Sequence, residues 1–162
     1  MACVNAVEWD ACEAQPKDRR SRHGRIIPRV LLADDQEEIR RTVASILEDE
    51  CEIVGLAENG KQVLDLVIDR SPDVLVLDIF MPVANGIETA VRAKAIGCRS
   101  KVLFLTVDED PDVAEAAMSV GALGYVLKPR LATDLIPAIR SVLEGRVYIS
   151  RSMHSFPRST KS

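Results

Sequence analysis

The sequence predicts an α/β protein, a doubly wound five-stranded parallel sheet with helices on both faces and strand order 2-1-3-4-5. Three observations carry this. Five short apolar runs alternate with segments of helical period between Arg29 and Gly145. The connections are short, as right-handed strand–helix–strand crossovers require. One run, Val74-Leu75-Val76-Leu77, has four consecutive branched aliphatics, too many for a strand with one wet face, and reads as a central strand buried on both sides.

The first strand is Val30-Leu31-Leu32-Ala33. Its helix shows apolar positions Ile39, Val43, Ile46 and Leu47, with Glu37 and Glu38 in the first turn where the helix dipole favours acids. Ile53 to Ala57 is the second strand. Asn59 with Gln62 three residues later is an N-cap signature, opening a helix that buries Val63, Leu64, Val67 and Ile68. The central strand is third and ends in Asp78.

Gly86 precedes a third helix through Ile87, Ala90 and Val91, and Val102-Leu103-Phe104-Leu105 is the fourth strand. Asp110 followed by Pro111 reads as an N-cap with proline at the first helical position, and Gly121 closes that helix from the C′ position. Gly124-Tyr125-Val126-Leu127 is the fifth strand. The last helix carries Leu135, Ile136, Ile139, Val142 and Leu143. Pro137 fits it only if the helix starts near Thr133, which keeps the proline in the first turn. Val147-Tyr148-Ile149 is a short apolar stretch able to pack down, followed by a Ser/Arg-rich tail.

The 162 residues suit one domain with short extensions, and 28% charged with 47% hydrophobic residues is the composition of an ordinary globular protein. No apolar run approaches membrane-span length, and Glu8 and Asp10 interrupt the segment a signal peptide would need, so a cytoplasmic protein is expected. Cys3, Cys12, Cys51 and Cys98 lack CxxC spacing, which argues for free thiols over zinc ligands or disulfides. Residues 1–29 carry six basic and four acidic side chains and residues 151–162 three basic and none acidic, so the formal −4 leaves −9 on the body between. Residues 1–28 are therefore expected to be a flexible basic extension, residues 29–146 the folded domain, and residues 147–162 a short tail. The basic cluster from Lys17 to Arg29 has no interleaved aromatics, which makes nucleic acid an unlikely partner. Trp9 has no assigned role.

Strand one ends in Asp34-Asp35, strand three in Asp78, strand four in Thr106 and strand five in Lys128-Pro129. First and third strands are neighbours at a switch point, where ligands bind outside the carboxyl ends of the strands, so the three acids should converge. Two carboxylates ~4 Å apart repel by roughly 4 kcal/mol at an effective dielectric of ~20. Such a trio calls for a cation beyond Lys128, and hard oxygen ligands that leave room for a phosphate oxygen suit Mg²⁺. Asp78 would then attack phosphorus while Thr106 and Lys128 contact phosphoryl oxygens. The plainer alternative has the acids capping helices and Lys128 as a surface lysine.

Asp34-Asp35, Asp78-Ile79-Phe80-Met81-Pro82 with Gly86, Thr106 and Lys128-Pro129 resemble the receiver domain of two-component response regulators, over about residues 29–146. Gly121 to Lys128 and Val147-Tyr148-Ile149-Ser150 look most like the NarL/FixJ branch. The resemblance implies a flavodoxin-like (βα)5 fold and Asp78 as phosphoacceptor. It implies Mg²⁺ held by Asp34, Asp35, Asp78 and the Phe80 backbone carbonyl. It also implies Thr106 and Tyr125 as a switch pair and a cis bond before Pro129. Read without the resemblance, Tyr125 is ordinary core. The implied partners are a histidine kinase or histidine phosphotransfer protein and a homodimer through helix 4–strand 5–helix 5 or helix 1–helix 5, with no membrane.

Two departures bear on rate. Val107 is larger than the small residue common after the threonine, and Phe80 is a bulky neighbour of the phosphoacceptor; both would shield an acyl phosphate. The NarL/FixJ branch continues into a helix-turn-helix domain, whereas about a dozen residues follow Ser150, too few for three helices. The leading expectation is thus a receiver, not an enzyme beyond slow self-catalysed phosphoryl transfer and autodephosphorylation. It would switch protein binding or relay phosphoryl groups. The alternatives are the receiver half of a DNA-binding regulator and a non-phosphorylated pseudo-receiver. An aspartyl-phosphate phosphohydrolase is disfavoured because Phe80 stands where such enzymes carry a second acid, and a flavin binder because no Ser/Thr/Gly-rich loop follows strand one.

Overall fold

The structure, a computed structural model, describes residues 24–150. Its elements run β1 (Arg29–Ala33), α1 (Glu37–Leu47), β2 (Glu52–Ala57), α2 (Gly60–Arg70), β3 (Val74–Asp78), α3 (Gly86–Ala95), β4 (Lys101–Thr106), α4 (Pro111–Ser119), β5 (Gly124–Leu127), a 3-10 turn (Lys128–Arg130), α5 (Leu131–Leu143) and β6 (Tyr148–Ile149). The sheet is parallel throughout, in the order β2-β1-β3-β4-β5-β6. The expected order is present, with a sixth strand added. After Gly145, whose φ of 78° lets the chain reverse, Tyr148 N donates to Leu123 O (2.8 Å) and Ser150 N to Tyr125 O (2.9 Å). This covers the open edge of β5, so the folded unit runs past 146 to at least Ser150.

Alternation along the strands builds two cores. Leu31, Ala33, Leu75, Leu77, Phe104, Tyr125 and Leu127 face α2, α3 and α4. Val30, Leu32, Val74, Val76, Leu103, Leu105 and Val126 face α1 and α5, through Val43, Leu47, Leu135, Ile139 and Val142. Every residue of β3 is buried, as its unbroken aliphatic run requires. At roughly 1.5–3 kcal/mol for each large aliphatic side chain removed from water, this strand anchors the fold and holds Asp78 at its end.

The caps follow the sequence closely. Asn59 Oδ1 accepts from Gln62 N (3.0 Å), while the Gln62 side chain reaches one residue further back than a capping box, to Glu58 N (2.8 Å). Asp110 caps α4 through Asp112 N (2.9 Å), with Pro111 first in the helix, and Gly121 follows the end with φ 93°. Two expectations need correction. Ile68 is 49% exposed, because the outward turn of α2 faces solvent. Pro137 is the seventh residue of α5, well inside the helix. Both Pro137 and Thr133, whose carbonyl loses the amide partner, lie on the exposed face, where the freed carbonyl is not shut away from solvent. Cys51 is buried beside β2 and Cys98 half-buried before β4, both free. Trp9, Cys3, Cys12, most of the basic extension and residues 151–162 lie outside the described residues.

Candidate phosphoacceptor site

Parallel packing of β1 against β3 places Ala33 beside Leu77, so the residues that follow these strands meet at one corner. Asp34, Asp35 and Asp78 each bring a carboxylate oxygen within 4.8 Å of the others. Asp34 and Asp78 are buried and Asp35 is exposed, which leaves the cluster open on one side. Lys128, carried in by the corner after β5, places Nζ 2.8 Å from Asp34 Oδ2 and 3.2 Å from Asp78 Oδ2, with its side chain 9% exposed. The alternative of a surface lysine and unrelated capping acids is thereby set aside.

Backbone groups hold the carboxylates in place. Asp34 Oδ1 accepts from Gln36 N (2.8 Å), and Arg40 Nη1 donates to the Asp34 carbonyl (2.6 Å). Asp78 Oδ1 accepts from Phe80 N (3.3 Å), bringing the Phe80 backbone to the cluster while its ring stays 54% exposed. Gly86 opens α3 with its N–H on Ile79 O (2.8 Å). A Cβ there would collide with the Asp78 carbonyl oxygen, so this glycine is what lets α3 start directly over the end of β3.

The electrostatics match a site waiting for positive charge. Burial, then the neighbouring Asp34 carboxylate, push Asp78 up from 3.8 to about 6, with Lys128 pulling the other way. Burial works against the Lys128 ammonium, but Asp34 and Asp78 outweigh it and raise its pKa above the ordinary value. Asp34 Oδ2 is a buried oxygen with no aligned hydrogen-bond donor, met by Lys128 as an ion pair. Three carboxylates against one ammonium, one buried oxygen lacking an aligned donor and a set of hard oxygens fit a divalent cation of the Mg²⁺ type.

Thr106 ends β4 one residue beyond Leu105, the register partner of Asp78. Its buried Oγ1 accepts from Asp108 N (3.0 Å), and its hydroxyl also makes a side-chain hydrogen bond with Tyr125. The Tyr125 ring is fully buried and its hydroxyl donates to Asp108 O (2.9 Å). Burial, then the Asp108 charge, push that phenol up to about 12. Val107 is 68% exposed beside Thr106. The cis bond before Pro129 is corrected: no peptide among the described residues is cis. Pro129 sits in the first turn of the 3-10 segment, where a trans proline's fixed φ fits and its missing N–H needs no partner.

Sequence reasoning missed two features. Val83 has φ 73° and is 80% exposed, at the centre of a turn closed by Ala84 N to Pro82 O (2.9 Å), the rare strained form of γ-turn. A valine carries no signal for this. Asp134, 3% exposed, and Ser150, 1% exposed, form a buried polar pair behind the Lys128 corner, although Asp134 reads as an ordinary first-turn acid.

A profile of the response regulator receiver domain matches residues 30–140. The chain belongs to the response regulator receiver family. It is 37% identical over 127 residues to the transcriptional regulatory protein DesR of Bacillus subtilis, covering 76% of this chain and 63% of that protein. It is 34% identical over 114 residues to the chemotaxis protein CheY of Halobacterium salinarum, covering 70% of this chain and 95% of CheY. Among solved structures, the receiver domain of the response regulator NarL from Mycobacterium tuberculosis superposes with TM-score 0.70 at 29% identity, over 74% of this chain and 98% of that one. The chain spans about three-fifths of the length of transcriptional regulators that it matches, DesR among them. This receiver is thus a signalling domain of the two-component type, and none of its described helices is long and apolar enough to cross a membrane.

Proposed function

We propose that Asp78 accepts a phosphoryl group from a histidine kinase or a histidine phosphotransfer protein. The observation that carries this reading is the convergence of Asp34, Asp35 and Asp78 with Lys128 bridging two of them. An Asp78 carboxylate oxygen attacks phosphorus, an O–P bond forms, the N–P bond of the donor phosphohistidine breaks, and the imidazole leaves. Asp34, Asp35, Asp78 and the Phe80 backbone carbonyl would hold Mg²⁺, which when bound supplies positive charge to phosphoryl oxygens. Lys128 supplies a second positive group and Thr106 a hydroxyl donor.

The added charge of about −1.5 to −2 competes for Lys128 and for the Thr106 hydroxyl, loosening the Asp108 loop that Thr106 and Tyr125 share. Output is then altered protein binding, including homodimerisation through α4–β5–α5 or α1–α5. The protein turns phosphoryl groups over slowly and is no hydrolase in purpose. Because matched relatives such as DesR are transcriptional regulators, a second reading makes this domain the receiver of a DNA-binding regulator.

The test is incubation with Mg²⁺ and a small acyl phosphate, read by intact mass, with Asp78→Asn in parallel. One added phosphoryl group that is lost in the variant supports the reading. No addition under any condition overturns it in favour of a pseudo-receiver whose acids serve structure.

A further inference from the structure

The corner that delivers Lys128 is held by a buried polar clasp behind it. Ser150 Oγ donates to Asp134 Oδ2 (2.7 Å) and accepts from Leu127 N (3.1 Å), the amide immediately before Lys128. On the other side of the lysine, Arg130 Nε and Nη2 donate to the same carboxylate (3.0 and 3.3 Å), and Thr133 Oγ1 adds a further bond (3.0 Å). Burial alone would raise the Asp134 carboxyl, but the bonds from Arg130, Ser150 and Thr133 outweigh it and keep it below its ordinary range.

From this geometry we infer that Asp134 and Ser150 are positioning residues for Lys128. The clasp grips the backbone one residue before the lysine and the side chain two residues after it, so the β5 corner has one arrangement. A functional group must be held within about 0.5 Å of its productive place, and charge-assisted bonds in a buried setting are the stiff kind. Ser150 reaches the clasp because β6 pairs with β5, so the strand that covers the β5 edge also brings this hydroxyl behind the lysine. This inference rests on the phosphoacceptor reading for its consequence, though the clasp acts on Lys128 in the unphosphorylated protein as well.

Two measurements test it. The first labels amines of the unphosphorylated protein with an acylating reagent and maps Lys128 by mass. Ser150→Ala, which removes both bonds of the hydroxyl, should label Lys128 at least about fivefold faster than the parent, the ratio that one ordinary hydrogen bond alone would support, while Ser150→Thr restores protection. Equal labelling in parent and Ser150→Ala overturns the inference. Should Ser150→Ala fail to fold, Asp134→Asn, which keeps the shape and drops the charge, gives the same comparison.

The second follows single-turnover phosphorylation at saturating acyl phosphate. Ser150→Ala should lower the maximal rate about fivefold with the half-saturating concentration unchanged, and should lower it no further in a Lys128→Ala background. An additive loss in that background means that Ser150 acts elsewhere and overturns the inference. If the parent itself takes no phosphoryl group, the phosphoacceptor reading fails, and the labelling comparison still decides the clasp.

Discussion

Thr106 and Tyr125 hold opposite ends of the same residue: Asp108 N donates to Thr106 Oγ1, and Tyr125 Oη donates to Asp108 O. A group that competes for the Thr106 hydroxyl therefore disturbs a loop that also depends on the buried Tyr125 ring. Tyr125→Phe removes the second bond and leaves the ring in place. It should cost about 1 kcal/mol in urea unfolding, the net worth of one hydrogen bond, and should lengthen neither strand nor helix by circular dichroism. A loss well above that would mean the hydroxyl does more than tether Asp108.

Gly86 makes a sharper demand. Its Cα lies so close to the Asp78 carbonyl that a methyl group has nowhere to go, and the neighbour is backbone. Gly86→Ala should destabilise by about 1–3 kcal/mol, as overpacking does, and should slow phosphorylation because Asp78 moves with its carbonyl. Unfolding midpoints together with phosphorylation rates check both halves. Normal stability with slowed chemistry would place the conflict in the loop alone.

Val83 carries strain that can be relieved. A β-branched residue at φ 73° pays roughly 1–2 kcal/mol for the left-handed region, against about 0.5–1 kcal/mol that glycine loses in backbone entropy. Relief outweighs entropy, so Val83→Gly should raise the melting temperature slightly. A fall would show that the 80% exposed side chain makes a contact worth more than the strain.

Much of this was legible in the residues themselves. The aliphatic run of β3 requires two covered faces, two covered faces require a parallel sheet, and a parallel sheet brings Asp34, Asp35 and Asp78 to one edge. Four features escaped. β6 is two residues long, too short for any period, and becomes a strand because Gly145 turns it toward a free edge. Pro137 was misplaced because the rule against interior prolines weakens where a freed carbonyl faces water. The cis bond came from resemblance, and the residues about Pro129 form a 3-10 turn instead. Asp134 and Ser150, sixteen residues apart, gave no sign of meeting.

Phe80 and Val107 frame the open side of the site with exposed apolar side chains. If they shield an acyl phosphate from water, Phe80→Ala and Val107→Ala should each shorten the phosphoryl lifetime, with the phosphoacceptor chemistry otherwise intact. Decay of the added mass in the purified variants measures this. Lifetimes equal to the parent's would assign the shielding elsewhere.

The raised pKa of Asp78 gives a prediction with a definite sign. Its value in the folded chain, about 6, exceeds its ordinary 3.8, so between these pH values the native state binds the proton more tightly than the unfolded chain. Stability from this group therefore falls as pH rises from 3.8 to about 6, and the loss is complete above it. Asp78→Asn removes the buried charge and should raise the melting temperature most above pH 6, with the gain shrinking toward pH 4. Added Mg²⁺ should reproduce part of that gain in the parent above pH 6, where Asp78 is ionised, and none of it in Asp78→Asn if this carboxylate is needed to hold the ion. A gain in the variant that is independent of pH would mean that the relief comes from packing and not from charge.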